Sequence, residues 1–365
     1  MTLAEPVRLG MDELLKITVQ RNASDLHLTV GLPPMLRING KLMPTEFPKL
    51  AQEDTKRLIY GILNDKQKEF LEKHWDLDCS HGVKGYGRFR VNIYKQRGTY
   101  GGAFRAIPNT VLTRQELSLP SSLDDIVRRP HGLVLVTGAT GVGKSTTLAC
   151  MIDAINRERQ CHIMTVEDPI EYFHVHKKSM VNQREVGQDT MSWAMALRAA
   201  LREDPDVIMV GEMRDPETIS ATLTAAETGH FVLSTLHTVD CAQTIDRIID
   251  VFPPHQQQQV RIQLASVLEA ILSMQLIPKL NGNGRVPSVE TLTATPAIRS
   301  LIRDGKTHQI YSHLQTGSKY GMQTMDQALL ELYKSKAISA EECLARTTHA
   351  DEMKRLIEAP ISAKP

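Results

Sequence analysis

Gly138-Ala139-Thr140-Gly141-Val142-Gly143-Lys144-Ser145-Thr146 decides the fold of this chain. The stretch fits G-x-x-x-x-G-K-[ST]. Upstream, Gly132-Leu133-Val134-Leu135-Val136-Thr137 is an apolar run of strand type, and downstream Thr147 to Ile155 follows a helical pattern. Strand, glycine loop and helix form the order in which such a stretch holds phosphate. The glycines let backbone N–H groups turn inward around phosphate oxygens, and the helix N-terminus adds partial positive charge. A lysine at position 144 reaches β- and γ-phosphates, and the Ser145 hydroxyl is placed to ligate Mg²⁺. The expected nucleotide-binding residues are therefore Gly138, Thr140, Gly141, Gly143, Lys144, Ser145 and Thr146.

Working outward, the composition is that of an ordinary globular protein. The chain has 365 residues, 41% of them apolar and 23% charged. That length supports one or two domains with real cores. A formal net charge of +1 argues against a strongly basic nucleic-acid binder. No apolar run approaches the roughly 18 residues of a membrane span, and the N-terminus lacks a signal-peptide pattern. Cys79, Cys150, Cys161, Cys241 and Cys343 are scattered without a C-x-x-C pair. A reduced, cytoplasmic setting fits them, and a structural zinc site does not.

Two regions differ in pattern. Residues 1–107 read as a small α+β domain with an antiparallel sheet. A helix is expected from Met11 to Arg21 and strands at 25–30 and 36–42, the latter with an Asn-Gly turn. A single helix is expected over 52–73, then strands at 76–79, 87–95 and 101–107. Residues 108–120 carry two prolines and no period, and are the expected linker. From 121 to 365 the pattern becomes a parallel α/β domain. Strands are expected at 132–137, 162–166, 207–211 and 231–235, with helices at 145–157, 192–202, 216–228 and 241–250. Beyond Pro253-Pro254 the chain is expected to be mainly helical, including the apolar run 264–276.

Three further stretches end strands with chemistry. Val207-Ile208-Met209-Val210-Gly211-Glu212 is an apolar strand closing on an acid, the position from which Glu212 holds Mg²⁺ directly or through water. Ile163-Met164-Thr165-Val166-Glu167-Asp168-Pro169-Ile170-Glu171 crowds three carboxylates into five positions, and Glu167 is placed to orient or deprotonate the attacking water. Thr228-Gly229-His230-Phe231-Val232-Leu233-Ser234-Thr235-Leu236-His237 sets a histidine at each end of a buried strand. His237 lies at the C-terminal end, where parallel sheets bind ligands, and is the stronger candidate.

Together, Gly138–Thr146, Thr165–Phe173, Val207–Asp215 and Thr228–His237 resemble the Walker A, Asp box, Walker B and His box of the secretion-superfamily ATPases. Within that group the chain resembles the type IV pilus retraction ATPases, the PilT family. Ala23–Leu28, Gly87–Asn92, Asn182–Val186, Leu201–Asp206, Val210–Asp215, Ala297–Asp304 and Gly321–Asp326 carry the likeness, which spans roughly residues 10 to 340. Ser300 and Asp304 stand where the family segment commonly has Asn and Glu.

The resemblance implies an N-terminal PAS-like domain and a RecA-like ATPase domain with a helical C-terminal region, assembled as a homo-hexamer. It implies ATP and Mg²⁺ as cofactors, with Ser145 and Glu212 on the metal. Glu167, Glu212 and His237 are the implied catalytic residues, joined by Arg90 and Arg105 from the N-terminal domain, with Arg88 and Arg97 as alternates. Either Glu167 or Glu212 is the base. Implied partners are an inner-membrane pilus platform protein and a second retraction ATPase, with no nucleic acid, at the cytoplasmic face of the membrane by the pilus base. The competing readings are a pilus assembly or type II secretion ATPase, a nucleic-acid motor, and a nucleotide-binding regulator.

Overall fold

The structure, a computed structural model, describes residues 10–38, 40–108 and 110–358. Among these residues the chain divides into two compact units. One holds the residues up to 110 together with 171–173, and the other holds 111–170 and the residues from 174 on.

The first unit is built on a six-stranded antiparallel sheet. Its elements are α1 (Met11–Gln20), β1 (Asp25–Leu28), β2 (Met35–Ile38), β3 (Lys41–Pro44), α2 (Gln52–Tyr60), α3 (Asp65–His74), β4 (Asp76–Val83), β5 (Gly87–Gln96) and β6 (Thr99–Ile107), with the strands ordered β3-β2-β1-β6-β5-β4. Alternation sorts the two faces. Leu26, Phe89, Val91, Ile93 and Phe104 are buried among Leu14, Leu15, Leu58 and Leu71, while Arg88, Arg90 and Arg105 stand on the opposite face. Burying each large apolar side chain contributes about 1.5–3 kcal/mol.

Two expectations for this unit change. The strand over 36–42 is two strands, β2 and β3, paired antiparallel across the turn that holds Gly40; Asn39 lies outside the described residues. The single helix over 52–73 is two helices. α2 stops at Gly61, and Asn64 starts α3 by accepting the Gln67 N–H at 2.9 Å while the Gln67 side chain caps Asn64 N–H at 3.0 Å.

The second unit carries a seven-stranded sheet ordered β13-β12-β7-β11-β10-β8-β9. Its elements begin with α4 (Ser122–Ile126), β7 (Gly132–Thr137), α5 (Lys144–Glu158), β8 (His162–Glu167), β9 (Met180–Glu185), α6 (Trp193–Ala200), β10 (Val207–Val210), α7 (Pro216–Glu227), β11 (Phe231–Leu236) and α8 (Cys241–Asp250). They continue with α9 (Pro254–Val267), β12 (Leu268–Pro278), β13 (Arg285–Thr293), α10 (Pro296–Arg303), α11 (Ile310–Thr316), α12 (Met325–Lys334), α13 (Ala340–Arg346) and α14 (Ala350–Glu358). β12, β7, β11, β10, β8 and β9 run parallel, and only β13 is antiparallel to its neighbour. Both faces are covered, by a core including Ile208, Val232, Ile245 and Leu264 on one side and one including Val134, Ile152, Leu233 and Leu272 on the other.

The helix expected through the apolar run 264–276 is corrected. α9 ends at Val267 and the chain continues as β12, which pairs with both β7 and β13. A strand buried on both faces loses the period-2 signal, so an unbroken apolar run reads equally as buried helix. β9 carries no clear strand signal in the sequence: Met180-Val181-Asn182-Gln183-Arg184-Glu185 is an edge strand with a partly exposed, largely polar pattern. In α10, by contrast, the helical stripe Ile298, Leu301, Ile302 is buried as its spacing requires. The Arg299 guanidinium fixes that helix by donating to the carbonyls of Ala265, Ser266 and Ala294 and to Glu269.

Candidate active site

β7, β11 and β10 lie side by side, so their C-terminal ends deliver three loops to one edge of the sheet. The loop after β7 is the glycine stretch. Gly138 has φ +137°, and a Cβ there would lie 2.5 Å from the Met274 carbonyl oxygen of β12. Only glycine lets the chain pass so close to that strand. Gly141 (φ +80°) and Gly143 (φ +98°) are also left-handed, and Gly143 leads straight into α5. Thr140 and Gly141 are exposed, while Ser145 and Thr146 in the first turn of α5 are half-buried. The loop thus presents backbone N–H groups and a helix N-terminus to solvent at the sheet edge.

Lys144 is buried and folds back over the loop, donating to Gly138 O at 2.8 Å and Ala139 O at 3.1 Å. Its ammonium also lies 3.3 Å from His237 Nδ1, and His237 Nε2 lies 3.0 Å from Glu212 Oε1. Three residues from the segments that follow three adjacent strands therefore touch in series: Lys144, His237, Glu212. Arg214 closes the series with a 2.8 Å contact to Glu212 Oε2. Burial pushes the Glu212 carboxyl up, but the hydrogen bond from Arg214 and the charges of His237 and Arg214 outweigh it and hold the group below the ordinary carboxylate range. Glu212 stays ionised throughout the neutral range.

Glu167, at the end of β8, is buried and accepts from the Thr165 hydroxyl at 2.6 Å and the Gln183 amide at 3.0 Å. Of the three carboxylates grouped in the sequence it alone is buried; Asp168 and Glu171 are exposed. Gln183 and Arg214 were not singled out from the sequence, although both lie within motif stretches, because nothing local in those stretches says which side chain turns inward. His230 sits at the other end of β11, with Nδ1 2.8 Å from Ala225 O and 3.1 Å from the Thr228 hydroxyl, a local structural role.

Arg88, Arg90 and Arg105 stand on the face of the first unit's sheet opposite that unit's apolar core. Arg90 is exposed and stands directly across from Arg105 in the β5–β6 register. Arg105 is 70% exposed and donates through Nε to the buried Asp25 at 2.9 Å, an ion pair that Arg37 joins at 3.7 Å. Arg88 is turned onto the Ser80 hydroxyl at 2.9 Å, and Arg97 lies in the β5–β6 turn.

The donors offered to a metal are all oxygen: a hydroxyl at Ser145 and an ionised carboxylate at Glu212. Among the described residues no group of three or more His, Cys, Asp and Glu side chains could cage an ion. This set fits Mg²⁺, which prefers hard oxygen ligands and takes most of its shell from phosphates and water.

A family described as type II/IV secretion system protein matches residues 112–359. The type IV pilus retraction ATPase PilT of Pseudomonas aeruginosa is 50% identical over 333 residues, covering 91% of this chain and 96% of that protein. This chain belongs to the PilT family of secretion ATPases. A twitching motility protein of Neisseria gonorrhoeae is 48% identical over 320 residues, covering 88% of this chain and 86% of its own. Among solved structures, the pilus retraction motor PilT with bound ADP superposes with a TM-score of 0.88 at 49% identity, covering 95% of this chain and all of that one. As a PilT-family member the chain is a nucleotide-binding ATPase with a RecA-like α/β fold.

Proposed function

We propose that this chain is the motor ATPase that retracts type IV pili, working as a homo-hexamer on an inner-membrane platform protein at the cytoplasmic face of the pilus base. The observation that carries the reading is the contact series Lys144–His237–Glu212, assembled at the phosphate loop of a chain half identical to PilT along nearly its whole length. Among the described residues no helix is long and apolar enough to cross a membrane, which is compatible with a peripheral seat on its platform.

The proposed division of labour is supported by the contacts at the phosphate loop. Lys144 exchanges its contacts to Gly138 O and Ala139 O for phosphate oxygens when ATP enters. Ser145 and Glu212 would hold Mg²⁺, which would supply charge neutralisation at the phosphates. One of Glu167 and Glu212 is the base that deprotonates the attacking water. His237 touches both the phosphate-gripping lysine and the acid, so it registers the loss of the γ-phosphate through either contact. Arg90 and Arg105 neutralise charge building on the γ-phosphate, a task that is worth about 10³–10⁵ in rate for comparable arginines. The 108–120 segment is the proposed hinge through which turnover becomes motion.

Lys144→Ala tests the chemistry. The purified variant should keep the wild-type circular dichroism and lose ATP turnover; a variant with full turnover refutes the site. Deletion of the gene tests the direction of work. A hyperpiliated, non-twitching strain supports retraction, and a bald strain transfers the chain to the assembly ATPases.

A further inference from the structure

Glu290 lies in the middle of β13 and is only 4% exposed, and among the described residues no cationic side chain pairs with it. Its two oxygens face two helix starts. Oε1 accepts the backbone N–H of Cys241 at 2.8 Å, and Oε2 accepts that of Met325 at 3.3 Å. Cys241 is the first residue of α8 and Met325 the first of α12. Both helices already have side-chain caps, Asp240 and Thr324, but these take the N–H groups of Gln243 and Gln327. The first-turn N–H groups of Cys241 and Met325 have no intrahelical partner, and Glu290 satisfies both, with the positive ends of both helix dipoles directed at it. Burial raises its carboxyl above the ordinary value, opposed by the Cys241 N–H and thiol and by the Met325 N–H.

The two helices have different tasks. α8 begins four residues after His237, so its first turn ends the loop 237–240 that presents His237 to Lys144 and Glu212. α12 opens the C-terminal helical group, where Met325 and Leu329 pack with Cys343 and Met353. The strand next to β13 holds the same loop: Ser273, the register partner of Glu290 on β12, donates its hydroxyl to Val239 O at 2.8 Å. Ser273 in turn pairs with Thr137, the residue before the glycine loop. Adjacent positions on β13, β12 and β7 thus support the His237 loop and the phosphate loop in one row across the sheet.

We propose that Glu290 is a positioning residue that fixes the His237 loop for hydrolysis and ties its position to that of the C-terminal helices α12–α14. Its double grip makes the start of α8 and the start of α12 move together. A shift of His237 on nucleotide exchange is therefore felt at α12, and loosening α12 misplaces His237. The inference rests on the role given to His237 above.

Glu290→Gln keeps the size of the side chain but turns an NH₂ toward one of the two N–H donors and removes the charge. The full-length variant should bind fluorescent ADP within about threefold of wild type while kcat falls roughly 10-fold or more, the usual scale for a misplaced catalytic group. Adding Glu290→Gln to His237→Ala should cause no further loss of kcat. Losses that multiply, or an unchanged kcat in Glu290→Gln, overturn the proposal. Hydrogen exchange gives an independent readout: ADP should protect both 237–244 and 322–328 in the wild type, and Glu290→Gln should abolish the second effect while protection of 138–147 persists. If His237→Ala itself turns over like wild type, the reading of His237 fails and the exchange result alone decides for or against the Glu290 link. Should Glu290→Gln not fold, Ser273→Ala, which frees Val239 O from the neighbouring strand, must show the same non-additivity with His237→Ala; additive losses there overturn the proposal.

Discussion

Replacing Gly138 by alanine tests whether the phosphate loop is fixed by its close approach to β12. At φ +137° the backbone lies where an L-residue is strained by about 1–3 kcal/mol. The added Cβ would also meet Met274 O at 2.5 Å and Val142 Cγ2 at 2.8 Å. Met274 O is backbone of a strand paired on both sides, by β7 and β13, so it cannot yield as a flexible side chain would. Overpacking of that kind adds about 1–3 kcal/mol. Gly141→Ala is the control, because its left-handed φ of +80° carries strain but its Cβ meets nothing within 4 Å. It should cost about 1–2 kcal/mol. At about 2–4 °C per kcal/mol for a domain of this size, Gly138→Ala should melt roughly 10 °C lower and Gly141→Ala about half as far below wild type. Differential scanning fluorimetry of the nucleotide-free proteins measures this. A titration with fluorescent ADP should show Gly138→Ala weakened by about 10-fold or more, since a displaced loop loses at least one charge-assisted hydrogen bond to phosphate. Equal melting of the two variants would refute the reasoning, for then the contact with Met274 contributes nothing beyond backbone conformation.

The two acids should separate by metal titration: Glu212→Gln should raise the Mg²⁺ concentration for half-maximal turnover several-fold or more, whereas Glu167→Gln should lose kcat at saturating Mg²⁺ with that midpoint unmoved; identical Mg²⁺ curves would deny them separate tasks. His174 gives a pH prediction. It is 5% exposed, its Nδ1 has no partner, and burial pushes its pKa down to about 4 from the ordinary 6.5. The unfolded chain therefore takes up a proton that the folded chain refuses, so the stability held above pH 6.5 is lost as pH falls toward 4. The loss amounts to about 3 kcal/mol, from about 1.4 kcal/mol per pH unit. His174→Leu should flatten the melting temperature between those pH values, and parallel curves for wild type and variant would contradict the burial argument.

What the sequence disclosed depends on how locally each feature is determined. The four strand-end motifs were legible because each is a short apolar run followed at once by its functional residue, and a parallel sheet brings such ends to one edge. The order in which β7, β11 and β10 sit side by side was not needed to name Lys144, Glu212 and His237. Their contact series, however, exists only through that order. Arg214 and Gln183 were visible as letters but not as partners of Glu212 and Glu167, since side-chain direction in a loop or edge strand is set by what packs against it. Arg299 stands in Ala297–Asp304, one of the stretches that carry the family resemblance. Its partners Ala265 and Ser266 lie on the preceding helix more than thirty positions away, and no local pattern predicts that docking.

Residues 264–276 form the support of the site itself. Taken as helix, residues 264–276 would have left β7 as an edge strand, with nothing beside the phosphate loop. As β12 they give Gly138 the carbonyl of Met274 to pass, and they place Ser273 under Val239. They also bring β13 into the sheet, and with it Glu290 to the start of α8. The strongly apolar run is thus ambiguous for the same reason that it is useful. A strand covered on both faces needs no polar alternation, and such a strand is rigid enough to hold the loops on either side of it. The residues that act are read from the edge of the sheet. The residues that hold them in place are drawn from its interior, where burial removes the periodic signal by which a strand is recognised.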